Sequence, residues 1–377
     1  MTTLNIDHIR IPSKLLPADG RFGSGPSKIR PEQIQTLMRQ SETLLGTSHR
    51  RDPVRRLVGS IRDGLAELFG LPGGWEIVLG NGGATMFWDV ATFGLIKQRS
   101  QHLVFGEFSA KFAAATTSAI HLREPQIIES KFGEHPQAVA SPDIDSYCLT
   151  HNETSTGVAM DLRRPSAAGD ALVIVDATSA AGGLAWEPNE VDVYYFSPQK
   201  CFGSEGGLWV AACSPLAIER IEEMRRSERW SPASLNIGTA LDSSRSNETF
   251  NTPSITTLLL LDEQTRWMLS SGGMRWCLDR TKLSSEILYT WAETQAFTQP
   301  FVADPAKRSA VVGTIDLIGV EAIQVNEVLR RHGIVDTESY RKLGRNQLRI
   351  AMFPSIEPHD VEQLTRCINY IVEQILL

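Results

Sequence analysis

The run ALVIVDAT at residues 171–178 constrains the fold of this chain more than any other feature. A short unbroken run of aliphatic, mostly β-branched residues reads as a strand covered on both faces, because a strand with one wet face alternates polar and apolar side chains. Comparable runs occupy residues 75–80, 102–106, 126–129, 147–150, 191–197 and 208–213. Helical stretches lie between several of them, notably residues 84–97 and 108–119. This alternation predicts an α/β fold, a mostly parallel central sheet with helices on both faces. In such sheets ligands sit outside the carboxyl ends of the strands, so the polar residues found there are the candidates for function.

Two helices are expected before the first strand. One follows Ser27 and runs through Ile34, Leu37, Met38 and Leu44–Leu45; the other takes Asp52 as N-cap and Pro53 in its first turn, with Gly70 as stop. The last third of the chain differs. Residues 257–269 and 274–295 read as helices, followed by short strands at 309–315 and 348–352 among helices at 319–332 and 358–376. A chain of 377 residues exceeds what one core ordinarily supports. The expected division is a large α/β domain over residues 20–265 and a smaller C-terminal α+β domain over 266–377, with residues 1–19 packed against the latter.

Charge and cysteines exclude several classes. Lys plus Arg (37) against Asp plus Glu (44) gives a net charge of −7, and no basic stripe marks a nucleic-acid binder. Five scattered cysteines without a C-x-x-C pair support neither a disulfide framework nor a metal site. No signal-peptide core and no apolar run near the ~20 residues of a membrane span is present, so the expected location is cytoplasmic.

The most informative segment is DVYYFSPQKCFGSEGG, residues 192–207. An apolar strand runs into Lys200 among small residues, where an amine is partly desolvated and thereby nucleophilic. Asp176 ends the preceding buried strand and is placed to accept a hydrogen bond from the ring nitrogen of pyridoxal phosphate (PLP). Taken singly, Lys200 is a surface lysine and Asp176 a turn cap; their order along the chain makes the cofactor reading the stronger one. The turn GNGGAT, residues 80–85, joins a strand to a helix and would let backbone N–H groups and the Thr85 hydroxyl reach a phosphate. Phe108 opens a helix and could stack on a flat ring, although a core Phe is the commoner outcome. His49, Arg50 and Arg349 are candidate anion readers.

Together these segments resemble the phosphoserine aminotransferase family, fold-type I PLP-dependent transferases of the class V aminotransferase group. The resemblance runs from about Phe22 to the C-terminus through FGSGPS, TSHR, GNGGAT, GEFSAKF, HNETSTGV, VDATS, FSPQKCFGSEGG, FNTPS and LRIAMF. It implies that Lys200 carries PLP as a Schiff base and that Asp176 partners the pyridine nitrogen. Ala84, Thr85 and Gln199 would hold the phosphate, Phe108 would stack on the ring where many members have Trp, and Thr154 would sit by the ring hydroxyl. Asn251 and Thr252 would reach across a homodimer to the neighbour's cofactor, so that the active sites are shared. Arg50 and Arg349 would read substrate anions, with His49 near the substrate phosphate. Which of Arg51, Arg341, Lys342 or Arg345 adds a phosphate contact stays open.

The implied reaction interconverts 3-phosphoserine plus 2-oxoglutarate with 3-phosphohydroxypyruvate plus glutamate, in serine biosynthesis; 4-phosphohydroxythreonine, in pyridoxine biosynthesis, is a further substrate the family suggests. An alanine–glyoxylate or serine–pyruvate aminotransferase is the nearest rival. A cysteine desulfurase would need a mobile-loop cysteine, and Cys367 lies in an expected amphipathic helix. A PLP-binding regulator would normally carry an added DNA-binding module.

Overall fold

A computed structural model describes residues 6–166 and 168–377. The chain opens with helices α1 (Pro31–Leu44) and α2 (Asp52–Leu68). Then come β1 (Glu76–Gly82), α3 (Ala84–Gly94), β2 (Ser100–Val104), α4 (Glu107–Thr117), β3 (Gln126–Glu129) and β4 (Ser146–Thr150). A small hairpin of β5 (Asn152–Glu153) and β6 (Val158–Ala159) precedes β7 (Leu172–Asp176), β8 (Val193–Phe196) and β9 (Gly207–Cys213). Helices α5 (Pro215–Arg226), α6 (Ile237–Arg245), α7 (Ile255–Ser271) and α8 (Gly273–Thr294) follow. The C-terminal part holds β10 (Thr298–Pro300), β11 (Val312–Leu317), α9 (Ala322–Arg331), β12 (Gln347–Ala351) and α10 (Pro358–Leu376).

The main sheet has the order β1-β9-β8-β7-β4-β2-β3. Its pairs are parallel from β8 through β7, β4 and β2 to β3, whereas β9 runs antiparallel to both β8 and β1. The reversal has a simple cause. Only residues 197–206 join β8 to β9, fewer than the dozen or more a parallel crossover needs. Being antiparallel to β9, β1 points the same way as the parallel strands, and its carboxyl end lies on their carboxyl edge.

Every residue of β7 is buried. Val173 and Val175 enter one core and Leu172 and Ile174 the other, as expected of a strand with both faces covered. The two cores lie on opposite faces of the sheet.

Several expected boundaries shift for local reasons. The first helix begins at Pro31 and not directly after Ser27, with the Arg30 N–H held by the Gln33 side chain at 2.8 Å. Asp52 is the first helical residue and Arg51 the N-cap. The helix expected to reach 97 ends at Gly94, and the Asp145 carboxylate collects the N–H groups of Lys97, Gln98 and Arg99. The strand expected from 309 starts at Val312, because the Ser309 hydroxyl accepts from the N–H groups of Val311 and Val312 and holds a turn there. Helices α5 and α6 and strand β10 are absent from the sequence reading.

A second sheet, β10-β11-β12, is antiparallel, and α8 and α10 pack together beside it. The segment from residue 6 runs along this region. Ile11 N–H donates to His332 Nε2 at 3.1 Å, Ala18 N–H to Asp360 Oδ1 at 2.8 Å, and Cys367 Sγ lies 3.1 Å from Leu15 O. Cys367 is thus buried in the packing of α10. Among the described residues, no helix is long and apolar enough to cross a membrane.

Candidate active site

Strands β1, β4, β7 and β8 all end on one edge of the sheet, and a cavity of about 280 Å³ opens there. Lys200, Asp176, Ala84, Thr85, Phe108, Thr154 and Gln199 all line it. Residues distant in sequence converge because the turns after β1, β2, β4, β7 and β8 all lie at this edge.

Lys200 sits in the turn after β8. Its Nζ donates to the main-chain oxygen of Ser24 at 2.5 Å. Gly25 is required beside it. Its φ is +126°, and a Cβ there would fall 2.0 Å from Nζ. Burial, and then the positive charge of Arg349, lower the amine's pKa to about 8, against a smaller opposing pull from Asp176.

Asp176 is buried at the end of β7. Its Oδ1 accepts from Thr178 N–H at 2.9 Å and its Oδ2 from the Trp88 indole at 3.3 Å. The Tyr195 hydroxyl faces the same carboxylate without forming a hydrogen bond of good geometry. Burial raises the Asp176 pKa in spite of these donors. A buried carboxylate of this kind gains from a cationic partner.

At the other side of the cavity α3 begins with Gly83 at its N-cap and no side chain capping it. The free N–H groups of that turn and the helix dipole suit an anion. The Ser197 hydroxyl lies 2.5 Å from Gln199 Oε1 and 2.7 Å from Leu208 O, and holds Gln199 against the cavity wall. Ser179 organises a further wall, accepting from Thr154 Oγ1 at 2.7 Å and Asn152 Nδ2 at 2.8 Å. Asn152 Oδ1 and Thr178 Oγ1 are buried there without partners. Buried polar atoms seldom stay unpaired, so these mark where a ligand's polar groups would go.

Trp88, Asn152, Thr178 and Ser197 line the cavity although sequence reasoning did not single them out. Sequence spacing offered a hint for three of them. Trp88 is one helical turn beyond Ala84, Asn152 two residues before Thr154, and Thr178 two beyond Asp176.

Arg349 lies on β12, half-buried, with Nη1 3.4 Å from Thr154 O and Nε buried without a partner. Among the described residues no carboxylate forms an ion pair with it. Its contact with Thr154, a lining residue, places it beside the cavity, although it is not part of the lining.

His49, Arg50, Asn251 and Thr252 are not brought into the cavity of their own chain. They form a separate cluster in which His49 Nδ1 is 3.2 Å from Thr252 Oγ1. Asn81, near the end of β1, bonds both Asn251 N–H (3.3 Å) and Thr252 O (3.1 Å). Asn251 and Thr252 are exposed, and Arg50 is ion-paired with Glu248, which also takes Arg55. Lys342 is paired with Glu107 and Arg345 with Asp316, and neither of them nor Arg341 lines the cavity.

The sequence matches the model of the aminotransferase class-V family over residues 22–338. It is 55% identical over 372 residues to the phosphoserine aminotransferase of a Nocardioides species, covering 98% of this chain and 100% of that one. It is 52% identical over 366 residues to the phosphoserine aminotransferase of Rhodococcus opacus, covering 97% and 98%. The fold superposes on the crystal structure of a phosphoserine aminotransferase from Cytophaga hutchinsonii with a TM-score of 0.86 and 25% identity, covering 93% and 99%. Among the described residues the cavity's own chemistry fits PLP: a lysine amine, a buried carboxylate without an ion pair, an uncapped helix N-terminus and unpartnered polar atoms around one cavity.

Proposed function

We propose, on the premise that this chain belongs to the class-V aminotransferases and within them to the phosphoserine aminotransferase family, that it moves the amino group of glutamate onto 3-phosphohydroxypyruvate. The products are 3-phosphoserine and 2-oxoglutarate, and the pathway served is L-serine biosynthesis. The observation that carries this reading is Lys200, which lines the cavity at the end of β8 beside Asp176 with its amine donating to Ser24 O, its pKa lowered to about 8 by desolvation and by the positive charge of Arg349.

When bound, PLP supplies the electron sink that lets an amino acid's α-proton leave. Asp176 would hold the proton of the ring nitrogen, and the first turn of α3, including Ala84 and Thr85, with Gln199 would hold the phosphate. Phe108 would cover a ring face, and Thr154 with Asn152 would meet the ring oxygen. Lys200 Nζ would take the substrate α-proton and return it on the other carbon, as base and then acid. A pKa of about 8 leaves both forms of the amine accessible near neutrality. Arg349, with Nε unpartnered, would grip the α-carboxylate that all the substrates share and so turn the α C–H toward Nζ.

A second subunit would complete each site. Asn251 and Thr252 would meet the neighbour's cofactor phosphate, and the bond from His49 to Thr252 carries His49 and Arg50 to the same place. Arg50 would there exchange Glu248 for the distal phosphate or carboxylate of the substrate. The same subsite would admit 4-phosphohydroxythreonine. Residues 20–265 form the cofactor-binding domain in this reading and 266–377 the smaller one, with the N-terminal segment against it; residues 1–5 lie outside the described residues. The location proposed is the cytoplasm.

Turnover of 3-phosphoserine, alanine and serine with 2-oxoglutarate tests the specificity. Losing a distal dianion with its charge-assisted bonds should lower kcat/KM about a hundredfold or more for the other two. Comparable turnover of alanine would refute the phosphoserine assignment.

A further inference from the structure

We propose that Tyr340 is a positioning residue for this reaction: the face of its ring holds the Arg349 guanidinium in the attitude that reads the substrate carboxylate. The inference rests on Arg349 being the carboxylate reader, as proposed above.

Arg349 is held by few bonds. It has one long hydrogen bond, to Thr154 O at 3.4 Å, a buried Nε without a partner, and no ion pair among the described residues. An arginine side chain so lightly bonded would sample many rotamers, and each binding event would have to order it again. Tyr340 supplies the missing restraint. Its ring centroid is 5.3 Å from the guanidinium carbon, within reach of a cation–π contact. An aromatic face suits this task better than a carboxylate, which would neutralise Arg349 and compete with the substrate. The Tyr340 ring holds the cation in place and leaves its N–H groups free.

Tyr340 is itself fixed. Its ring meets Phe108 edge-on, with centroids 5.9 Å apart at 61°. Glu338, two residues earlier, bridges to Leu348 beside Arg349. On the other side, Leu343 N–H donates to Tyr340 O at 2.9 Å, and Lys342 pairs at 2.5 Å with Glu107 in the first turn of α4. The segment therefore straps β12 to α4, with Tyr340 between the anion reader and the aromatic that lines the cofactor cavity. The Tyr340 hydroxyl makes no hydrogen bond within the described residues, so the ring is the working part.

Steady-state kinetics of the PLP-loaded Tyr340→Leu, Tyr340→Phe and Arg349→Gln enzymes test this. Tyr340→Leu should raise KM for both glutamate and 3-phosphoserine about tenfold (~1.4 kcal/mol), with kcat within about threefold. Tyr340→Phe keeps the ring and should stay within about twofold of the parent in KM. If Tyr340→Leu does not fold, Tyr340→Met, also without a π-face, takes its place with the same expectation. Arg349→Gln should raise KM for both substrates. Should it leave KM unchanged, the carboxylate reading fails and the inference with it. Should Arg349→Gln raise KM while the Leu or Met variant leaves it unchanged, the inference alone is overturned. A Phe variant as impaired as the Leu variant also overturns it, because the hydroxyl and not the ring would then matter.

Discussion

Replacing Glu153 by Gln should lower stability by ~1–3 kcal/mol and loosen the wall on which the cofactor ring would rest. Glu153 is wholly buried beneath the first turn of α4. Its Oε2 accepts from Ser109 N–H and Ser109 Oγ, both at 2.9 Å. Its Oε1 accepts from Ser155 Oγ at 2.7 Å, Ser155 N–H at 3.2 Å and Phe108 N–H at 3.3 Å. Gly106 permits the approach, since a Cβ there would fall 2.3 Å from Glu153 Cγ. The carboxylate therefore serves as the anion that this helix N-terminus lacks in its own cap. A glutamine offers one oxygen where donors converge on two, and its NH2 group would face either the Ser109 or the Ser155 N–H. At least one buried backbone donor is then left unpaired (Ser109 N–H on one side, Ser155 and Phe108 N–H on the other), which costs ~1–3 kcal/mol, partly offset by no longer burying a charge. Urea denaturation should show a lower midpoint with an unchanged m-value. Because Phe108 rides on the same turn, titration of the apoenzyme with PLP should show weaker binding. A midpoint and a PLP affinity both equal to the parent's would refute the reasoning.

Lys200→Ala should abolish both turnover and the visible absorbance of covalently held PLP; activity retained in that variant would rule out Lys200 as the cofactor lysine. His102 and His151 are wholly buried, and burial pushes both pKa values down from 6.5 to about 3. The unfolded chain takes up protons at these sites below pH 6.5 while the folded chain does not until about 3, so stability should fall progressively as pH drops through that window. His102→Gln should flatten the fall of the urea midpoint between pH 7 and pH 4.5, and parallel curves for parent and variant would count against it.

Burial leaves a mark in local composition, and that is why the strands could be read from the sequence. The run LVIVD has no polar residue before its end because both of its faces are covered, and the same logic placed Lys200 after a buried strand and Asp176 at the end of another. Turn chemistry is equally local, so GNGGAT stood out as a strand-to-helix turn. Orientation and partnership are not local. That β1 shares its carboxyl edge with β7 follows from β9 running backwards between β8 and β1, a matter of connection length and sheet order. Glu153 reads as one more acid in a polar segment until α4 is packed over it. Arg349 meets Thr154, 195 residues away in sequence, only because β12 packs beside the β5–β6 turn. His49, Arg50 and Thr252 form their own cluster outside the cavity because the loops that carry them leave it behind. A sequence alone records whether each residue must be dry and which backbone turns it tolerates; which distant residue shares its dry space is decided when the sheets and helices pack.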